Sequence, residues 1–127
     1  MSAIDLFEVS EWARETFGPV EPIRAVVRAN EEMAELLKAA CCATSEADLE
    51  KMAEEAADVV IVLCHLAGAL HIDLGWAIEK KMVTNRLRKW RVDGDGTGYH
   101  IDAALTEPES SDSAPEAERS EAAPAPK

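Results

Sequence analysis

Cysteine, aromatic and basic residues are all scarce in this 127-residue chain. Its three cysteines include the adjacent pair Cys41-Cys42 and show no Cys-x-x-Cys spacing, which argues against a disulfide framework. Thirteen Lys and Arg stand against 25 Asp and Glu, and the net charge of -12 disfavours nucleic acid or an anionic membrane as a partner. The start of the chain lacks the basic residues of a signal peptide, and the longest apolar run, 59–70, is too short to cross a bilayer. We therefore expect a cytoplasmic protein.

Four segments carry apolar residues at helical spacing, at about 4–17, 22–42, 46–70 and 73–90. Gly18-Pro19 ends the first segment, and Pro22 suits the first turn of the second. Ser45 with Asp48 three residues later resembles a capping box, and Asp73 is a good N-cap for the fourth segment. No stretch alternates convincingly with period two, so the sequence predicts an all-α helical bundle.

Two features of the chain extend this picture beyond one bundle. The segment Val59-Val60-Ile61-Val62-Leu63 is apolar on every side, which is typical of a helix buried all round. Four helices of this size cannot cover it easily, so we expect a homo-oligomer, a tetramer rather than a dimer. Residues 106–127 are rich in Pro, Ala, Ser and Glu and hold no large apolar residue, which predicts a disordered acidic tail after a domain at 1–105.

Two clusters of carboxylates lie on consecutive predicted helices. They are Glu31-Glu32-x-x-Glu35 and Glu54-Glu55-x-x-Asp58. Residues three apart share a helix face, so Glu32 projects with Glu35, and Glu55 with Asp58. Like charges at this spacing repel, and a divalent cation such as Mg²⁺ or Mn²⁺ relieves the repulsion because it prefers oxygen ligands. A solvated acidic face is the alternative, and the spacing alone does not decide between the two.

The fourth predicted helix carries the densest basic stretch of the chain. Lys81, Asn85 and Arg88 follow the pattern Lys-x-x-x-Asn-x-x-Arg, which places two cations and an amide on one face. Such a strip can hold phosphate oxygens, or it can simply complement the negative C-terminal end of a helix. Carboxylate pairs together with a basic strip are the combination expected for phosphoanhydride chemistry.

Taken together, these motifs resemble the MazG-like all-α nucleoside triphosphate pyrophosphohydrolases over about residues 5–102. The resemblance implies hydrolysis between the α and β phosphates, with two or three Mg²⁺ ions per site that Mn²⁺ replaces. It implies metal ligands at Glu32, Glu35, Glu55 and Asp58, and phosphate contacts at Lys81, Asn85 and Arg88. Glu31 or Glu54 would then act as the general base or support a ligand, and Lys81 would stabilise charge on the transferred phosphate. The segment Ile72-Asp73-Leu74 resembles the family's Gly-x-Asp-Leu sequence, with Leu70-His71 in place of the glycine.

Trp12 and the segment 16–19 resemble a phage and bacterial branch that acts on purine deoxynucleotides. This resemblance implies dGTP as the first substrate and dATP as the next. Trp12 and Phe17 can stack on a purine or pack in the core, and Asn30 is a candidate for hydrogen bonds to the base. The alternative function is a non-catalytic helical regulatory protein that keeps the shell of the family.

Overall fold

The structure is a computed structural model that describes residues 3–102. Its described residues form four helices, which are α1 (Leu6–Phe17), α2 (Pro22–Cys41), α3 (Glu46–Ala69) and α4 (Leu74–Leu87). Two short strands follow, β1 (Trp90–Val92) and β2 (Gly98–His100). The predicted all-α class is confirmed, and α1, α2 and α3 end within a few residues of the predicted bounds.

Side-chain caps fix where the helices begin. The Asp5 carboxylate accepts a hydrogen bond from the Phe7 amide at 2.8 Å at the start of α1. Ser45 and Asp48 form the predicted capping box at the start of α3, with each side chain bonded to the other residue's backbone N–H. The Asp73 carboxylate accepts from the Trp76 amide at 2.9 Å at the start of α4, as its position predicted.

Helix α3 is the centre of the first compact unit, which ends at Leu87, and it packs against both α1 and α2. The residues buried along these contacts are mostly small: Ser10, Ala13, Ala25, Val59, Cys64 and Ala67. The approach is closest at Gly68, where an added Cβ would lie 2.4 Å from Ser10 Oγ. Small side chains thus bring α1 and α3 together and set the position of the residues on either side.

The C-terminal end of α3 closes in a Schellman motif whose left-handed residue is His71. The His71 amide donates to the Gly68 carbonyl at 3.1 Å, and the Ile72 amide donates to the Ala67 carbonyl at 3.0 Å. His71 has a φ of 53°, in a region that favours glycine. A histidine therefore occupies the left-handed position at the place where the sequence resemblance has a glycine.

The fourth helix ends earlier than predicted, and a β-hairpin follows it. Trp90 was expected on the helix but lies in β1, which pairs antiparallel with β2 in a second unit beginning at Arg88. Gly94 and Gly96 have positive φ angles of 86° and 91°, and the Asp95 carboxylate accepts from the Thr97 amide at 2.9 Å, which reverses the chain. The expectation of no sheet was wrong. Each strand is only three residues long and all of its residues are exposed, so the sequence shows no alternating pattern that would predict it.

Much of the large apolar surface is exposed within the single chain. Of the all-apolar segment, Val59 is buried, but Val60 and Leu63 are 45% and 38% exposed. Helix α4 buries none of its residues. The all-round burial expected for 59–63 is therefore not supplied by the described part of this chain, and the oligomer stays a prediction.

Two further expectations meet the limits of what is described. Within residues 3–102, no single helix is long and apolar enough to cross a membrane, and α3 with α4 meet the requirement only as a pair bent by 103°. The predicted tail, 106–127, and the domain boundary at 105/106 lie outside the described residues.

Candidate active site

Three carboxylates from α2 and α3 converge where the two helices pack. One oxygen atom each from Glu32, Glu35 and Glu55 lies within 4.8 Å of the others. Glu32 and Glu55 are each only 5% exposed, whereas Glu35 lies at the surface. The three carboxylates, called the carboxylate cluster below, put two buried negative charges and one exposed negative charge in a small volume.

Each buried glutamate is paired with a basic residue one turn earlier on its own helix. Arg28 Nη2 contacts Glu32, and Lys51 Nζ contacts Glu55. A hydrogen bond to Glu31 and the charge of Glu32 raise the pKa of Arg28, and the hydrogen bond and charge of Glu55 raise the pKa of Lys51. Because a buried charge is costly unless it is paired, these contacts stabilise the two ionised glutamates.

A groove of about 450 Å³ begins at this cluster, and we call it the aromatic groove. It is lined by Trp12, Ala13, Phe17, Val20, Arg24, Ala25, Arg28, Glu32, Asp58, Ile61, Val62 and His65. The rings of Trp12 and Phe17 meet edge to face with centroids 5.6 Å apart, and both side chains are exposed. His65 Nε2 donates a hydrogen bond to the Gly18 carbonyl at 2.9 Å, which ties α3 to the end of α1 beside the groove. The groove thus combines aromatic and apolar side chains with carboxylates and arginines.

A second groove of about 550 Å³ lies beside the other members of the cluster, and we call it the lysine groove. It is lined by Glu35, Lys38, Ala39, Cys42, Asp48, Lys51 and Glu55. Glu32 and Arg28 line the aromatic groove, while Glu55 and Lys51 line the lysine groove. The carboxylate cluster therefore contributes to both grooves.

The structure brings together some of the predicted site residues and separates others. Three predicted metal ligands form the cluster, and the fourth, Asp58, lines the aromatic groove with Glu32. Glu31 is exposed and accepts from Arg28 Nη1 at 3.0 Å, and Glu54 Oε2 lies 4.0 Å from Lys51 Nζ. Asn30 is exposed on α2.

The basic strip stands on α4. Lys81 is exposed and Asn85 is half-buried, and among residues 3–102 neither lines the aromatic or the lysine groove. Arg88 belongs to the second unit. The phosphate-binding role of these residues stays a prediction.

Arg28 and Lys51 were not among the site residues predicted from the sequence. Each precedes a clustered glutamate by four residues, the spacing at which side chains on a helix meet. This repeated spacing on two helices was the available signal.

The carboxylate cluster fits a divalent cation. Its donors are oxygen atoms of carboxylates, which Mg²⁺ and Mn²⁺ prefer, and they are close enough together to share an ion. Asp58 adds a further carboxylate to the groove where Glu32 lies.

Comparison with known proteins identifies the family and the fold. The sequence model described as the MazG-like family matches residues 25–99, which include most of α2, all of α3 and α4, and most of the hairpin. The chain belongs to the MazG-like family. Over 93 residues, this MazG-like chain is 36% identical to the dATP/dGTP diphosphohydrolase of Salmonella phage PMBT28. That alignment covers 73% of the chain but only 29% of the relative, so the chain spans less than a third of the relative's length.

A solved structure supports the same assignment. The MazG-like pyrophosphohydrolase of cyanophage S-2L, bound to dGDP and three catalytic Mn²⁺ ions per active site, matches with a TM-score of 0.58 and 28% sequence identity. The match covers 76% of this MazG-like chain and 89% of that protein. That relative binds a purine deoxynucleotide and manganese on the same fold.

Proposed function

We propose that this chain is a metal-dependent pyrophosphohydrolase of purine deoxynucleoside triphosphates, with dGTP preferred over dATP. The products are the nucleoside monophosphate and pyrophosphate. One observation carries the proposal: Glu32 of the carboxylate cluster lines the same groove as the aromatic side chains of Trp12 and Phe17. The names of the two similar phage proteins, which mention dATP, dGTP and dGDP, support the choice of a purine.

The roles of the residues follow from the side chains that line the groove and form the cluster. Glu32, Glu35, Glu55 and Asp58 would hold Mg²⁺ or Mn²⁺. Bound cations of this kind polarise a phosphate and lower the pKa of a water molecule that attacks it. Trp12 and Phe17 offer exposed rings to a base, and each stacked base gains about 1–3 kcal/mol. The groove volume of about 450 Å³ lies within the range of small-molecule sites.

Other residues complete the proposal. Lys81 and Asn85 bind the phosphates, as the family resemblance implies, and Lys81 stabilises negative charge as the anhydride bond breaks. Glu31 and Glu54 adjoin metal ligands and are candidates for the base that takes a proton from water. The active form is a cytoplasmic homo-oligomer, a tetramer before a dimer, because the exposed apolar surface of one chain needs covering.

The test is pyrophosphate release from dGTP, dATP, dCTP and dUTP, each with Mg²⁺ and with Mn²⁺. We expect the highest kcat/KM for dGTP and no release in EDTA. Glu35→Gln and Asp58→Asn should each lower kcat by about 100-fold or more. Replacing a residue that merely hydrogen-bonds to a metal ligand already lowers activity or metal affinity by about 10–100-fold. The control is Glu50→Gln, an exposed position on α3, which should keep the normal rate.

Two results would contradict the proposal. A pyrimidine preference would refute the substrate, and normal turnover by Glu35→Gln at saturating metal would refute the site. Binding of nucleotide without hydrolysis of any triphosphate would support the non-catalytic regulatory function instead.

A further inference from the structure

Arg28 and Lys51 stand in equivalent positions around the carboxylate cluster. Each contacts, from four residues earlier on the same helix, a glutamate that is 5% exposed. The basic side chains themselves are 55% and 60% exposed. Each pair therefore joins a buried carboxylate to a cation that is already more than half exposed, so the cation can leave when another cation takes its place beside the carboxylate.

The same carboxylates are the proposed ligands of a divalent cation. A guanidinium or ammonium group at contact distance from Glu32 or Glu55 repels such an ion and occupies oxygen lone pairs that the ion needs. The metal and the two basic groups therefore compete for the same carboxylates.

The two basic residues differ in the groove that each one lines. Arg28 lines the aromatic groove with Trp12, Phe17 and His65, whereas Lys51 lies in the lysine groove. A guanidinium released from Glu32 stays beside the groove proposed for the nucleotide. Its planar donors match phosphate oxygens in pairs.

We propose that Arg28 and Lys51 are exchangeable counter-ions of the carboxylate cluster, that a divalent cation displaces both, and that the displaced Arg28 contacts the nucleotide phosphates. The exchange rests on the metal site of the proposed function. The phosphate contact rests additionally on nucleotide binding in the aromatic groove.

The first experiment measures Mn²⁺ binding by calorimetry on EDTA-treated, dialysed full-length protein without nucleotide. Arg28→Gln and Lys51→Gln should each bind Mn²⁺ about five-fold to ten-fold more tightly, since each removes a competing cation. Matched controls are Arg24→Gln and Lys38→Gln, which line the same two grooves and remove the same charges. The control variants should change the affinity for Mn²⁺ less than two-fold. Equal changes in all four variants, or no change in any of them, would overturn the exchange.

Thermal unfolding separates exchange from an ordinary structural ion pair. In EDTA, Arg28→Gln and Lys51→Gln should each have a lower Tm than the unaltered protein, because a buried carboxylate loses its partner. In saturating Mn²⁺, both variants should reach the Tm that the unaltered protein has in Mn²⁺. A loss of Tm that is equal in EDTA and in Mn²⁺ would show that the pairs are structural only, and would overturn the proposal.

The third experiment measures dGDP binding at saturating Mn²⁺. Arg28→Gln should weaken binding about ten-fold, while Lys51→Gln should change it less than two-fold. Equal effects of the two variants, or no effect of Arg28→Gln, would overturn the phosphate contact. If dGDP fails to bind the unaltered protein while the Mn²⁺ results hold, the nucleotide part of the proposed function fails and the exchange stands.

Discussion

His71 keeps a backbone conformation that costs an L-residue about 1–2 kcal/mol. Its φ of 53° completes the two hydrogen bonds that end α3. His71→Gly removes the Cβ conflict but adds freedom to the unfolded chain, so the net gain in the free energy of unfolding should be about 0.5–1 kcal/mol. Urea unfolding followed by circular dichroism measures it. His71→Ala retains a Cβ and should give no such gain; an equal gain would mean that the imidazole, rather than backbone strain, sets the cost.

Single residues also show what the sequence reveals about the site. Helical spacing could predict that Glu32 shares a face with Glu35 and that Glu55 shares one with Asp58, but only the family resemblance implied that the two pairs form one site. The burial of Glu32 and Glu55 could not be predicted, because it depends on how closely α2 and α3 pack. Arg28 and Lys51 escaped notice because an exposed basic residue near an acidic one is common on helices, and only the burial of the glutamates makes the pairing significant.

At the scale of elements, the capping box of α3 gives a prediction about pH. Hydrogen bonds from the Thr44 amide and from Ser45 hold the pKa of Asp48 below its ordinary value of 3.8. Because the pKa of Asp48 is lower in the folded protein, its ionised carboxylate stabilises the fold fully above about pH 3.8. This stabilisation is lost as the pH falls through the pKa that Asp48 has in the folded protein. Asp48→Asn should therefore flatten the fall in the free energy of unfolding below about pH 4.

Denaturant unfolding at closely spaced pH values checks this prediction. Ser45→Ala keeps the carboxylate and removes one hydroxyl donor, so its slope should be intermediate. If the free energy of unfolding of Asp48→Asn fell with decreasing pH as steeply as that of the unaltered protein, the assigned role of the cap would be contradicted.

The contact between α1 and α3 gives a second prediction about elements. A Cβ at position 68 would lie 2.4 Å from Ser10 Oγ, so Gly68→Ala should destabilise the protein despite the better helix propensity of alanine. In a Ser10→Ala background the hydroxyl is gone, and the same substitution should cost less or stabilise. A double-mutant cycle should show a coupling of about 1 kcal/mol between the two positions. Simple additivity would show that the helices relax apart.

Some bounds of the helices and strands could be predicted from the sequence and others could not. Caps at Ser45 and Asp73 were predictable because local hydrogen-bonding chemistry determines them. The end of α4 was not, since Trp90 continues the apolar spacing of the helix although it lies in β1. The hairpin depends on the turn chemistry of Asp95 and its flanking glycines, which marks a reversal of the chain but not the short strands on either side.

At the scale of the whole molecule, exposed apolar side chains predict self-association. Examples are Trp76 and Val83 on α4 and Ile23, Val27 and Leu37 on α2, all about half exposed or more. Covering a side chain of this size contributes about 1.5–3 kcal/mol, so several per chain suffice for stable assembly. Sedimentation velocity at micromolar concentration should give a tetramer of 13.8 kDa chains, or failing that a dimer. The assembly should persist in 1 M salt, where surface ion pairs are screened. A folded monomer at that concentration would contradict the prediction.

The pairing of each buried glutamate with a base on its own helix has a consequence for the order of events during biosynthesis. Because Arg28 contacts Glu32 within α2 and Lys51 contacts Glu55 within α3, each buried glutamate reaches the interface already paired with a cation. The two helices can therefore pack together before any metal ion is bound. Metal loading then becomes a maturation step of a folded protein, governed by the free concentration of the ion in the cell.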